Sequence, residues 1–78
     1  MQFLFETITD YKGVHADYRV YQAGEDSYFA ELMYQNGGFH LEKINGKWMT
    51  EEVSKQRLAE QIGKMIDQCE TISTLEIN

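Results

Sequence analysis

Two short stretches place a histidine two residues before an acid, His15-Ala-Asp17 and His40-Leu-Glu42. Imidazole and carboxylate are the ligands of zinc and related ions, and carboxylates close to one another can divide the roles of acid and base. The third reactive group is the thiol of Cys69, the only cysteine. What these groups can do depends on the elements that hold them.

Asn36-Gly37 and Asn45-Gly46 are hairpin signals, because a type I′ turn needs positive φ at both central residues and Asn-Gly supplies it. Lys12-Gly13 and Gly24-Glu25-Asp26 punctuate the earlier chain more softly. Between them lie β-branched and aromatic runs, which predict strands near residues 2–10, 14–23, 27–35 and 38–44, with a short fifth at 47–49. Tight turns between consecutive strands make an antiparallel meander.

After Trp48 the apolar period changes. Val53, Leu58, Ile62, Met65, Ile66 and Cys69 recur at helical spacing, with Thr50 as the expected N-cap and Glu51 and Glu52 at the positive end of the helix dipole. Gly63 interrupts this helix at a cost of about 1 kcal/mol relative to alanine, a pattern that suits close approach to the sheet. The expected fold is α+β: an antiparallel β-meander of four strands plus a short fifth, with one C-terminal α-helix packed on one face. Residues 1–70 form a single domain, and 71–78 read as a tail or an added edge strand.

Side chains alternate across a strand, so the turns also predict the two faces. If Asn36-Gly37 is a two-residue loop, Tyr34 pairs with Phe39, Met33 with His40, Leu32 with Leu41 and Glu31 with Glu42. One face then gathers Tyr28, Ala30, Leu32, Tyr34, Phe39, Leu41 and Trp48. Val14, Ala16, Tyr18, Val20, Phe3 and Phe5 join it as the bed for the helix. The opposite face carries three rows across the strands. Leu4, Tyr21, Phe29 and Ile44 form an apolar row, Glu6, Arg19, Glu31 and Glu42 a charged one, and Ile8, Asp17, Met33 and His40 a third.

On this map the reactive groups lose most of their chemistry. His15 and His40 stand two strands apart, about 10 Å, which is too far for two ligands that must each lie about 2 Å from a zinc ion. Glu31 and Glu42 would be cross-strand neighbours able to raise one pKa, but Arg19 beside them offsets the repulsion and no deep pocket is implied. Cys69 continues the apolar stripe near a helix C-terminus, where the dipole disfavours thiolate, and reads as a structural thiol. No catalytic residue, metal or cofactor is expected.

Seven basic and thirteen acidic residues give a net charge of −6, spread along the chain. That argues against nucleic acid as a partner, because such affinity rests on neutralising phosphates, and no basic amphipathic segment is present for an anionic membrane. The opening residues lack a basic n-region, and one cysteine cannot form an internal disulfide, so a cytoplasmic location is expected. The function that follows is a non-enzymatic protein-interaction module using Leu4, Arg19, Tyr21, Phe29, Glu31, Met33, His40, Glu42 and Ile44 on the helix-free face. The partner would be a second copy in a homodimer, or another protein. The alternative is an acidic decoy or inhibitor of a basic, nucleic-acid-binding partner, with a small-ligand-binding protein or enzyme behind both.

Overall fold

A computed structural model describes the backbone of residues 1–77 and the side chains of residues 1–69. Five antiparallel strands follow one another in sheet order: β1 (Gln2–Tyr11), β2 (Val14–Gln22), β3 (Ser27–Leu32), β4 (Gly38–Ile44) and β5 (Lys47–Met49). A short 3₁₀ turn (Val53–Lys55) leads into α1 (Gln56–Ile77). This is the expected α+β meander with a single C-terminal helix against one face. Residues 71–77, expected as a tail or an edge strand, are carried in α1, and residue 78 lies outside the described residues.

The turns explain the order. Lys12-Gly13 and Asn45-Gly46 both have positive φ at each position (54° and 76°, 52° and 79°). Those values fit the primed turns whose twist matches that of the flanking strands. Asn45-Gly46 behaves as its sequence predicts, setting Lys43 opposite Trp48 and Glu42 opposite Met49.

Asn36-Gly37 does not form the two-residue loop. Residues 33–37 make a longer connection closed by Leu32 N–H to the Gly37 carbonyl at 3.0 Å, and Ala30 rather than Tyr34 faces Phe39. The register has therefore shifted by four residues on β3. Because four is even, every face is preserved, but the pairs change. Tyr28 now faces Leu41 and Phe29 faces His40, while Tyr34 is left in the connection, 82% exposed. Gly38 holds the new register. A Cβ there would lie 2.4 Å from the Ala30 carbonyl oxygen and 2.8 Å from the Phe29 ring, so only glycine lets the strands close at that point.

β1 carries a second surprise. Its register with β2 runs as expected from Tyr11↔Val14 to Phe5↔Val20, then slips at Leu4, so that Phe3 faces Tyr21. One extra residue in a strand exchanges its faces. Leu4 packs against the core, and Phe3, expected inside, is 52% exposed on the outer face.

The core lies between the inner face of the sheet and one stripe of α1. Tyr18, Val20, Tyr28, Ala30, Phe39, Leu41 and Trp48 meet Leu58, Ala59, Ile62 and Ile66. Val14, expected inside, is exposed near the tip of the first hairpin. Gly63 faces Trp48, and an added Cβ would fall 2.2 Å from the indole Cγ, so the glycine is the contact that lets the helix seat. Both sheet edges reach the helix. Thr7 on β1 donates to Met65 Sδ at 3.2 Å, and Trp48 on β5 donates its Nε1–H to Asp67 at 3.1 Å. The sheet thus curls round α1 as a half-barrel.

Thr50 is not the helix cap. Its hydroxyl donates to the His40 carbonyl at 2.7 Å, and its N–H donates to the Gln56 side chain, whose amide in turn donates to the Trp48 carbonyl at 2.7 Å. Gln56 continues the β5 ladder with a side chain and delays the helix by one 3₁₀ turn. Val53, expected to open the apolar stripe, is consequently 87% exposed.

Candidate functional site

The helix-free face is the surface the alternation predicts. Phe3, Tyr21, Phe29 and His40 stand in line on β1 to β4 through the pairs Phe3↔Tyr21, Tyr21↔Phe29 and Phe29↔His40. Phe3 and Tyr21 meet edge to face with centroids 5.7 Å apart, and the Phe29 and His40 rings are 4.8 Å apart. Cross-strand aromatic pairs of this kind stabilise a sheet and hold one another in fixed rotamers. Phe29 is half-buried although no helix covers it, because His40 stands beside its ring and Gly38 leaves room beneath it.

A charged row runs alongside. Glu6 faces Arg19 and Arg19 faces Glu31, both as predicted, and the Tyr21 hydroxyl donates to Glu31 Oε1 at 3.4 Å. The Glu6 carboxyl is held above its ordinary value. A hydrogen bond with Asp17 is the largest cause, followed by the charge of Asp17 and slight desolvation, and the Arg19 charge opposes them. Asp17 on the neighbouring strand thus disfavours the ionised form of Glu6.

Other predicted neighbours are separated. Glu42 faces Ser27 and Glu31 faces Gly38, so these two glutamates lie four residues apart along the ladder, roughly 13 Å. The Glu31–Glu42 cross-strand pair expected from a two-residue Asn36-Gly37 turn therefore does not form. Met33 leaves the strand and spends its N–H on the Asp17 carbonyl at 3.0 Å, so it does not stand opposite His40. Ile44 faces Lys47 rather than extending the Phe29 row. Leu4 is displaced to the core side by the bulge, and Phe3 takes its place. Nothing local in the sequence marks that bulge, because neither glycine nor proline accompanies it.

At the β4–β5 end, His40, Glu42 and Ile44 come together with Met49, Thr50 and Glu51 round a shallow hollow of about 270 Å³. Ile44 and Met49 contribute apolar surface to it, and Glu42, Glu51 and His40 two carboxylates and an imidazole. His15 sits elsewhere, 3.7 Å from Asp10 and near the tip of the first hairpin. Among the described residues no group of three or more histidine, cysteine or acidic side chains is placed to hold a metal ion. No helix among them is long and apolar enough to cross a membrane.

The chain matches no model of a known protein family, no curated protein and no solved structure.

Proposed function

We propose that this chain is a non-enzymatic protein-interaction module that self-associates through the helix-free face of its sheet. The observation that carries the reading is the continuous row Phe3, Tyr21, Phe29 and His40 with no element laid over it among the described residues. Apolar side chains gathered on one face commonly mark an interface, whereas single exposed ones do not. The face also complements itself. A two-fold axis parallel to the strands and midway between β2 and β3 sets Tyr21 of one copy over Phe29 of the other. The same axis sets Arg19 over Glu31. Aromatic and charged rows are satisfied by one operation, which is what an isologous contact requires.

The sheet is at most about 24 × 20 Å across and curls away at its edges, so each copy can offer no more than roughly 480 Å². That lies in the range of weak, transient contacts, so a weak dimer is expected. Light scattering across concentration tests it. Mass should rise from monomer to dimer, and Phe29→Glu should hold the protein monomeric with its far-ultraviolet dichroism unchanged. A wild-type chain that stays monomeric up to millimolar concentration would overturn the proposal.

A second reading draws on the hollow beside Ile44 and Met49. Glu42 and Glu51 among its lining residues suit a lysine or arginine from a basic partner, in keeping with the acidic chain. Its mark is binding that falls steeply with salt, which an aromatic dimer contact would not show.

A further inference from the structure

The shortened β3 leaves a gap on the other side of the molecule. It stops at Leu32, opposite Tyr18, so β2 projects beyond it from Val14 to Asp17. Between this projecting hairpin, the 33–37 connection and the start of α1 lies a cleft of about 420 Å³. This volume falls within the range of small-molecule sites. Tyr18 and Thr9 form its floor, 2% and 1% exposed, and Ala16, Leu32 and Leu58 are among its walls.

The two floor hydroxyls differ. Thr9 donates to the Ala16 carbonyl at 3.2 Å and is satisfied. Tyr18 has no hydrogen-bond partner among the described residues, although its ring is enclosed. The ring is enclosed but the hydroxyl is not among the buried unpartnered atoms, so it is open to the cleft as a donor that a ligand acceptor can take over from water. Burial, and then the charge of Glu52, push its pKa up, so it remains a donor through neutral pH. Lys12 and Lys55 stand on the rim, and neither forms an ion pair among the described residues. Asp17 and His15 also line the cleft, and Asp17 Oδ1 is buried with no hydrogen-bond partner among the described residues, so a carboxylate head is accommodated only on the Lys12 and Lys55 side, away from it.

We propose that this cleft binds a small molecule with an apolar body and a carboxylate head, the body lying against Leu32 and Leu58 and the head taking the Tyr18 hydroxyl proton as a hydrogen bond beside the rim lysines. The site shares no residue with the aromatic row, so it stands or falls independently of self-association.

Titration of the isotope-labelled full chain with 4-phenylbutyrate, followed by amide nuclear magnetic resonance, tests the assignment, with neutral 4-phenylbutyramide as the comparison. Saturable shifts are expected at Ala16, Tyr18, Leu32 and Leu58, in the millimolar range or tighter for so small a probe. The amide should bind more weakly. Tyr18→Phe keeps the ring and removes the donor, and should weaken binding roughly ten-fold or more, the effect of one charge-assisted hydrogen bond. Lys55→Glu should weaken it as well, whereas Lys47→Glu at the far end of β5 should not. Absence of saturation, shifts confined to Tyr21, Phe29 and His40, equal affinity for the amide, or an unaffected Tyr18→Phe variant would each overturn the proposal.

Discussion

Replacing Gly63 with alanine sets two effects against each other. Taken alone, helix propensity favours alanine by about 1 kcal/mol. The structure opposes it: the new methyl would sit 2.2 Å from Trp48 Cγ and 2.4 Å from Cδ1 and Cδ2. Carbon atoms in contact lie about 3.5–4.0 Å apart, so the helix or the indole must move by more than an ångström. The indole is poorly able to retreat. Its Nε1–H is bound to Asp67, Tyr28 packs 5.3 Å from its centroid, and the Lys43 ammonium lies 5.5 Å from it. Overpacking in a filled core costs about 1–3 kcal/mol and sometimes more. The upper end applies here, leaving a net loss of about 1–2 kcal/mol. For a domain of this size that lowers Tm by roughly 5–15 °C. Thermal unfolding by circular dichroism, at fixed protein concentration, reads the shift. The same change made in a Trp48→Leu background should be neutral or stabilising, because the obstacle has gone. A Gly63→Ala protein that melts higher than wild type would refute the helix–sheet contact on which the core description rests.

Three further outcomes follow from charge and register. Arg19→Glu should abolish dimer formation, and adding Glu31→Arg should restore it, as measured by light scattering; a double variant that stays monomeric would exclude the two-fold arrangement with Arg19 over Glu31. Burial acts to raise the Asp67 pKa, but hydrogen bonds from Lys43 and Trp48 and the Lys43 charge outweigh it and hold the carboxyl below its ordinary 3.8. Its contribution is present above that value and lost as pH falls through the folded one. Asp67→Asn should therefore cost about 0.5–1 kcal/mol at pH 7 for this half-exposed pair, with the gap to wild type closing in acid denaturation series below pH 4. Glu6 has the opposite sign, because Asp17 raises its pKa above the ordinary 4.5. The stabilisation from its bound proton is full below that value and lost as pH rises through the folded one. Glu6→Gln should thus be more stable than wild type at neutral pH, with the advantage vanishing in acid.

The legibility of this fold varied with the kind of signal. Strand and helix types were readable, because alternation in "VHADYRV" and helical spacing from Leu58 to Ile66 are properties of the chain alone. Faces were readable for the same reason, and survived even where register failed. The Asn36-Gly37 pair misled because a favourable turn dipeptide competes with core filling. Pairing Ala30 with Phe39 and Tyr28 with Leu41 buries all four side chains, and the glycine is needed instead at Gly38, where backbone and the Phe29 ring crowd it. Thr50 misled similarly, since a cap residue can equally bond a neighbouring strand, and Gln56 gave no warning that its amide would do so. At the candidate site, Tyr21, Phe29, Arg19 and Glu31 were placed correctly, while Phe3 was hidden by a bulge with no local mark. The cleft lined by Tyr18 was not legible at all, because it exists only where β3 ends short of β2.

The bulge at Leu4 has a bearing on assembly. β1 is a ten-residue strand at the edge of the sheet. An unpaired edge of that length is a template on which further chains could add without limit. The extra residue kinks it, Glu6 and Asp10 set charge along it, and Thr7 is drawn to Met65 on the helix. Growth by edge pairing is thereby discouraged, while the convex aromatic face stays open among the described residues. In the proposed dimer, contact through that face would close after two copies, so the same irregularity that moves Phe3 outward would favour a finite assembly over a fibrous one.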